Sequence, residues 1–286
     1  MVKKRGKGKG AKTGEGEGKP GETEVQEAVK GGGKERKSAR RSVDVDAWVE
    51  ENVDEFVALA GLTSLGLSRD QYIDLLRDIL TQLYGSPTTY TSVETVVKRY
   101  SRHKDGINEI VANRLVQMLE TLTPEQLDFV VLSVKDSALI VAPRIYHQLV
   151  RNGREDLIEV LRIKWFKAWL ARRYRSPPLI CPVCNFNSLM PDLTCAVCGA
   201  TVSERRLKRD VNFERMLREY VSELSCSDLK ELLNYDTILL SSEGLKHPAL
   251  VRGPVDVEVY LSLAEKRLIR DMYTSRCRSS GDESPR

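Results

Sequence analysis

From Val43 onward the apolar positions recur at the three- and four-residue spacing of amphipathic helices. Behind Ser68, the residues Tyr72, Leu75, Leu76, Ile79 and Leu83 fall on one face; behind Asp105, so do Ile107, Ile110, Val111, Leu115, Met118 and Leu119. Helix start signals precede such runs: Ser68 with Gln71, Thr91 with Glu94, and Thr123-Pro124-Glu125-Gln126. In each, a hydroxyl satisfies an orphan N–H and a Gln or Glu three residues later answers it. A helix from Pro143 to Gly153 and a long one from about Glu155 to Arg175 bring the number in 43–176 to roughly seven. In the long helix Leu157, Leu161, Trp165 and Trp169 form a seam that Val160, Ile163, Phe166 and Leu170 widen, which is the pattern of a core helix. Pro177-Pro178 stops it. Helical spacing resumes at Ser203 (Leu207, Val211, Met216, Leu217, Tyr220, Leu224) and again near Ser227. Tyr235 to Gly253 reads as irregular, and Pro254 opens a final helix reaching about Arg276.

The predicted fold class is therefore all-α. It comprises a multi-helix bundle at 43–176, a small Cys-rich insert at 177–202, a C-terminal helical region at 203–276 and a polar tail at 277–286. No fixed-period repeat occurs, which favours a bundle over a solenoid. Residues 1–42 differ from all of this. They hold 10 of the 19 glycines and only scattered apolar residues, so they cannot bury enough surface to offset ordering and are expected to be a disordered Lys/Gly-rich tail. The Gly-rich run at 14–20 is no phosphate loop, because Thr13 stands where the first Gly is needed and Pro20 where Ser or Thr is needed.

Composition narrows the class further. With 41% hydrophobic and 30% charged residues the chain can form a real core in water. The most apolar stretch, Leu127 to Ala142, is broken by Asp128, Lys135 and Asp136, short of the ~18 residues a membrane span needs. No apolar segment follows the basic N-terminus as it would in a secretory signal, so a cytoplasmic protein is expected. The overall net charge of +4 conceals a division: residues 1–42 carry +7, 43–161 carry −8, 162–209 carry +8 and 210–286 carry −3. An acidic body thus bears two basic zones.

The second basic zone contains the strongest motif. Cys181-Pro182-Val183-Cys184 and Cys195-Ala196-Val197-Cys198-Gly199 form Cx2C–x10–Cx2C. Each Cys-x-x-Cys turn places two thiolates at one edge of a tetrahedron, and the connecting hairpin returns the second pair to close it. Two disulfides or a redox pair are the alternatives, although the strand–helix context of a redox site is missing. Four thiolates suit zinc and also iron. Gly199 fits the tight turn after the second pair; Asn185 takes the corresponding place after the first and tolerates the left-handed conformation.

These residues resemble a zinc-ribbon module, over about residues 178–202, with Cys181, Cys184, Cys195 and Cys198 as ligands. The resemblance implies structural zinc with no open coordination position, and binding to nucleic acid, a polymerase, a ribosome or other proteins rather than catalysis. Lys164, Lys167, Arg172, Arg173 and Arg175 precede the ribbon, and Arg205, Arg206, Lys208 and Arg209 follow it. Since a ribbon's ends lie close together, the flanking helices should emerge side by side and gather these nine cations into a phosphate-facing surface. Charged helix faces balanced by the acidic body are the plainer reading.

Other chemistry is missing. His103, His147 and His247 show no metal spacing, and neither a nucleophile elbow nor a dinucleotide fingerprint occurs. Asp70, Asp74 and Asp78 read as a solvated helix face. Cys226 and Cys277 are expected to be free thiols, consistent with a reducing cytoplasm. The expected function is a non-enzymatic zinc protein docking on RNA, DNA or a nucleoprotein machine, without a small-molecule substrate. The alternative is a protein–protein adaptor in which the ribbon is a structural staple and the acidic body meets a partner.

Overall fold

The computed structural model describes residues 44–85, 92–172 and 176–278. The basic tail 1–42, Thr91, the cations Arg173 and Arg175, and most of the polar C-terminus lie outside the described residues.

Seven helices form the first part: α1 (Val45–Ala60), α2 (Arg69–Tyr84), α3 (Val93–Arg102), α4 (Lys104–Met118), α5 (Pro124–Ser133), α6 (Ala138–Arg151) and α7 (Glu155–Ala171). Their starts follow the capping logic. Ser68 and Gln71 form a reciprocal capping box, as do Thr123 and Gln126 with Pro124 in the first turn. The α3 cap is Ser92, one residue later than the expected Thr91. Gln126 also works at long range: its Nε2 donates to the Leu65 carbonyl at 2.7 Å, tying the start of α5 to the turn between α1 and α2. The helices pack α1 on α2 and α3, α4 on α5, and α6 on α7. Their shared core includes Phe56, Leu76, Tyr100, Leu115, Leu127 and Leu161, with the Tyr100 ring edge-on to Phe56 at 5.8 Å.

Two expectations for this part need correction. α6 begins at Ala138, not at Pro143, which sits inside it. The Glu109 carboxylate of α4 accepts from the backbone N–H of Lys135 and of Ser137 (3.0 and 2.9 Å), and Ala138, Val141 and Ala142 are buried. That anchoring outweighs the one backbone bond a proline removes. In α7 the seam Leu157, Leu161, Trp165 and Ala168 is buried, but Ile163, Phe166 and Leu170 are 46, 38 and 42% exposed. They share the helix face opposite the core.

The second part is not all-α. After the Cys-rich insert, with its short strands β1 (Leu179–Ile180) and β2 (Asn187–Leu189), come α8 (Glu204–Asp210), α9 (Phe213–Glu223) and α10 (Cys226–Leu232). Then β3 (Thr237–Ser241), β4 (Gly244–Lys246) and β5 (Val257–Tyr260) form an antiparallel sheet in the order β4-β3-β5, before α11 (Leu263–Tyr273) and a π-helical turn at Thr274–Arg278. The supposed irregular stretch is thus a hairpin, and Pro254 opens a turn before a strand, not a helix. Val257 and Val259 are buried while Glu258 and Tyr260 are exposed, the two-residue alternation of a half-buried strand. A second core joins the sheet to the helices through Leu207, Phe213, Leu217, Leu232, Ile238 and Val259.

Cys226 and Cys277 are also corrected. They form a disulfide, with Cα atoms 5.6 Å apart, between the start of α10 and the turn after α11. Among the described residues no helix is long and apolar enough to cross a membrane.

Candidate metal centre and the surface beside it

The insert is built by two tight turns. The Asn185 N–H donates to the Cys181 carbonyl (2.9 Å) and the Gly199 N–H to that of Cys195 (3.0 Å). Closing each turn this way needs a left-handed residue: Asn185 has φ 61° and Gly199 φ 72°. The pairing of β1 with β2 and an isolated bridge between Leu189 and Cys195 bring the turns together.

The four sulfur atoms then lie within 4.8 Å of one another. Cys181 Sγ is 3.8 Å from Cys198 Sγ, and Cys184 Sγ is 3.6 Å from Cys195 Sγ. Disulfide bonds at about 2.05 Å are excluded at these separations. A tetrahedron of sulfurs about 2.3 Å from a central cation has edges of about 3.8 Å, so the cluster can hold a metal ion. Backbone donors face the sulfurs as well. The N–H of Val183 points to Cys181 Sγ (3.4 Å), and those of Val197 and Cys198 to Cys195 Sγ (3.4 and 3.3 Å). Ser188 Oγ adds a contact to Cys195 Sγ at 3.0 Å. Such outer contacts fix the ligands and favour the thiolate form.

Electrostatics follows from the crowding. Accepting from Cys184, and further from Ser188 and the backbone, holds the Cys195 thiol well below the ordinary thiol range despite its burial. Donation to Cys195, with burial, pushes Cys184 up, and burial pushes Cys198 up. Four clustered thiolates, three of them buried, repel each other without a cation between them. A bound cation displaces the remaining protons, so acid competes with metal here.

The insert is not a module hanging from the bundle. Cys181, Cys184, Phe186, Cys195 and Val197 belong to the core of α1–α7, whereas Leu179, Leu189 and Val202 belong to the core of α8–α11 and the sheet. Phe186 is fully buried, edge-on to Tyr146 (5.9 Å) and to Trp165 (6.2 Å). The Trp165 indole N–H donates to the Asn187 carbonyl at 2.9 Å, and that of Trp169 to the Ser176 carbonyl at 3.2 Å. Both tryptophans are structural. Trp165→Phe keeps most of the packing but leaves the Asn187 carbonyl unpaired, so a loss of about 1–3 kcal/mol is expected. Denaturant midpoints at unchanged slope measure it; an unaltered midpoint would mean that the insert is not seated on α7.

Of the nine cations, the seven among the described residues are divided rather than gathered. Lys164 Nζ donates to the Val131 and Leu132 carbonyls (2.7 and 2.6 Å) at the end of α5, and burial holds its ammonium below the usual lysine range. Lys208 is held too, against Glu265 (2.9 Å), Glu204 (3.4 Å) and the Tyr260 carbonyl, with Glu204 accepting from the Tyr260 N–H. Together Glu204 and Lys208 satisfy both outward backbone groups of Tyr260 on the edge strand β5, which blunts that edge. Lys167 and Arg172 are exposed on α7. Arg205, Arg206 and Arg209 do converge: with Ser203 they line one open depression of about 530 Å³ on α8. Arg206 further donates to the Pro182 carbonyl of the first Cys turn (3.3 Å), which places the arginines beside the metal centre. Asp210, 3.4 Å from both Arg206 and Arg209, is the one carboxylate paired with them among the described residues.

The chain matches no protein-family model, no curated protein and no solved structure.

Proposed function

We propose that this is a non-catalytic zinc protein that docks on nucleic acid or a nucleoprotein assembly through the arginine face of α8. Zinc is proposed on the resemblance to zinc-ribbon modules; four closed thiolates also suit iron, and metal analysis of the purified protein distinguishes the two. The observation that carries the docking reading is the depression formed by Ser203, Arg205, Arg206 and Arg209. Three guanidiniums with one carboxylate among them suit phosphate oxygens, which guanidinium forks bind in pairs. The basic tail at 1–42 would add non-specific attraction.

Arg205→Glu/Arg206→Glu/Arg209→Glu is expected to abolish binding to a mixed-sequence RNA or DNA at moderate salt. Single Ala variants should each lower the slope of log affinity against log salt by about 0.7–0.9. Lys208→Gln should do the reverse, lowering stability while leaving affinity nearly unchanged, because its ammonium is engaged by Glu265 and the β5 edge. Retained affinity and salt slope in the triple variant would falsify the docking surface.

A second reading has its own support. The insert's division between two cores is what an internal staple requires, and it fits an adaptor whose acidic bundle meets a basic protein partner. Loss of a co-purifying protein, with no nucleic acid bound at any salt, would favour this reading.

A further inference from the structure

The acidic bundle carries a local exception to its charge. Where α3 runs into α4, separated by the single joint residue His103, a solvent-open cleft of about 630 Å³ lies between these helices and the end of α2. Arg99 and Arg102 line it from α3, Lys104 from α4, and His103 from the joint. Gln82 and Ser101 add neutral hydrogen-bonding groups. We propose that this cleft binds a compact phosphate-bearing small molecule, such as a nucleotide or another phosphate ester.

The cations are available for such a ligand. Arg102 and Lys104 are exposed and make no ion pair among the described residues. Arg99 is steadied, with its guanidinium carbon 4.3 Å from the centroid of the Tyr84 ring, a contact that holds the side chain without neutralising it. Among the described residues the one carboxylate lining the cleft, Asp105, is 3.5 Å from Lys135 Nζ outside it. The cleft's volume lies within the range of small-ligand sites, about 300–1,000 Å³.

The surroundings select against a long polyanion. Residues 43–161 carry a net −8. A nucleic-acid strand is longer than the cleft and would extend from it over a part of the chain with that negative net charge. A compact anion touches the cationic corner alone. This site shares no residue with the arginine face of α8, so the two proposals stand or fall separately.

Calorimetric titration of the full, metal-loaded chain with pyrophosphate and with ADP tests the proposal. Both are expected to bind at one site per chain, and Arg102→Glu/Lys104→Glu should weaken each by at least about tenfold. Arg215→Glu/Arg218→Glu, exposed on α9 and outside both sites, should leave both affinities unchanged. Since Arg102 and Lys104 are exposed, melting curves of their variant should overlay the wild type and separate lost binding from lost folding. The proposal is overturned if neither probe binds, or if the double variant binds them as the wild type does. It is equally overturned if a single-stranded oligonucleotide binds the cleft more tightly than ADP and loses that binding in the same variant, which would assign the cleft to a nucleic-acid backbone.

Discussion

Cys184→Ser is expected to release the metal, to lower the melting midpoint by about 6–20 °C and to split one cooperative transition into two. The purified wild type should contain about one zinc per chain, since four thiolates make one site. Structural zinc contributes about 10–16 kcal/mol in small zinc-finger peptides, much of it offset by ordering the ligand loops. Here those loops also carry packing. Phe186 and Val197 fill the core of α1–α7, while Leu179, Leu189 and Val202 fill the core beyond it. Strands of two and three residues cannot hold that arrangement without the ion. If only about 3–5 kcal/mol of coupling is lost, a chain of this size shifts by about 2–4 °C per kcal/mol. Most helical signal should survive at room temperature, because Phe56, Tyr100, Leu115 and Leu127 are buried independently of the insert. Trp165 meets Phe186 edge-on and should report the change by a red-shifted emission. A metal-free variant that still melts in one step near the wild-type midpoint would show that the two cores are coupled elsewhere.

What the sequence reveals and what it hides are separated by range. Ser68 with Gln71, Thr123-Pro124 with Gln126, and the turn residues Asn185 and Gly199 act on backbone groups a few positions away, so the pattern alone predicts them. The Cx2C pairs are legible for the same reason, each being one local turn. The sheet is harder. Ile238-Leu239-Leu240 is a short apolar run that suits strand or helix equally, and its identity is settled by pairing with Val257–Val259 some twenty residues on. The alternation Val255-Asp256-Val257-Glu258-Val259 was a usable strand signal, masked by reading Pro254 as a helix start.

Charge is the least legible feature of all. Lys164 and Lys208 are indistinguishable in sequence from Arg205 and Arg209, yet, Glu204 apart, the carbonyls and carboxylates that engage them come from about 30–60 positions away. The same limit hides the cleft at His103, whose cations lie within a segment of negative net charge. Composition averaged over a hundred residues cannot show a cationic corner a few residues wide.

Breaking the Cys226–Cys277 link is expected to lower the transition of the C-terminal part by about 10 °C or more while leaving the bundle's transition and the metal content unchanged. The bond closes a sequence separation of 51 residues. In the chain-entropy account a loop of that length corresponds to about 4 kcal/mol, by restricting the unfolded chain. The core it encloses is small, with 15 buried residues of which three come from the metal-bearing insert, so covalent closure matters more than it would in the bundle. Part of the geometry should persist without it. Arg276 donates to the carbonyls of Val221 (3.2 Å) and Ser222 (2.8 Å), holding the turn after α11 against the end of α9. The loss should therefore appear as a lowered midpoint, not as a missing transition. Calorimetric scans of Cys226→Ser/Cys277→Ser against the oxidised wild type, both loaded with zinc, make the comparison without a thiol reductant that would compete for the metal. Coincident scans would mean that the two thiols are not joined in solution, and residues 203–278 would then owe their stability to the sheet and the zinc-held insert alone.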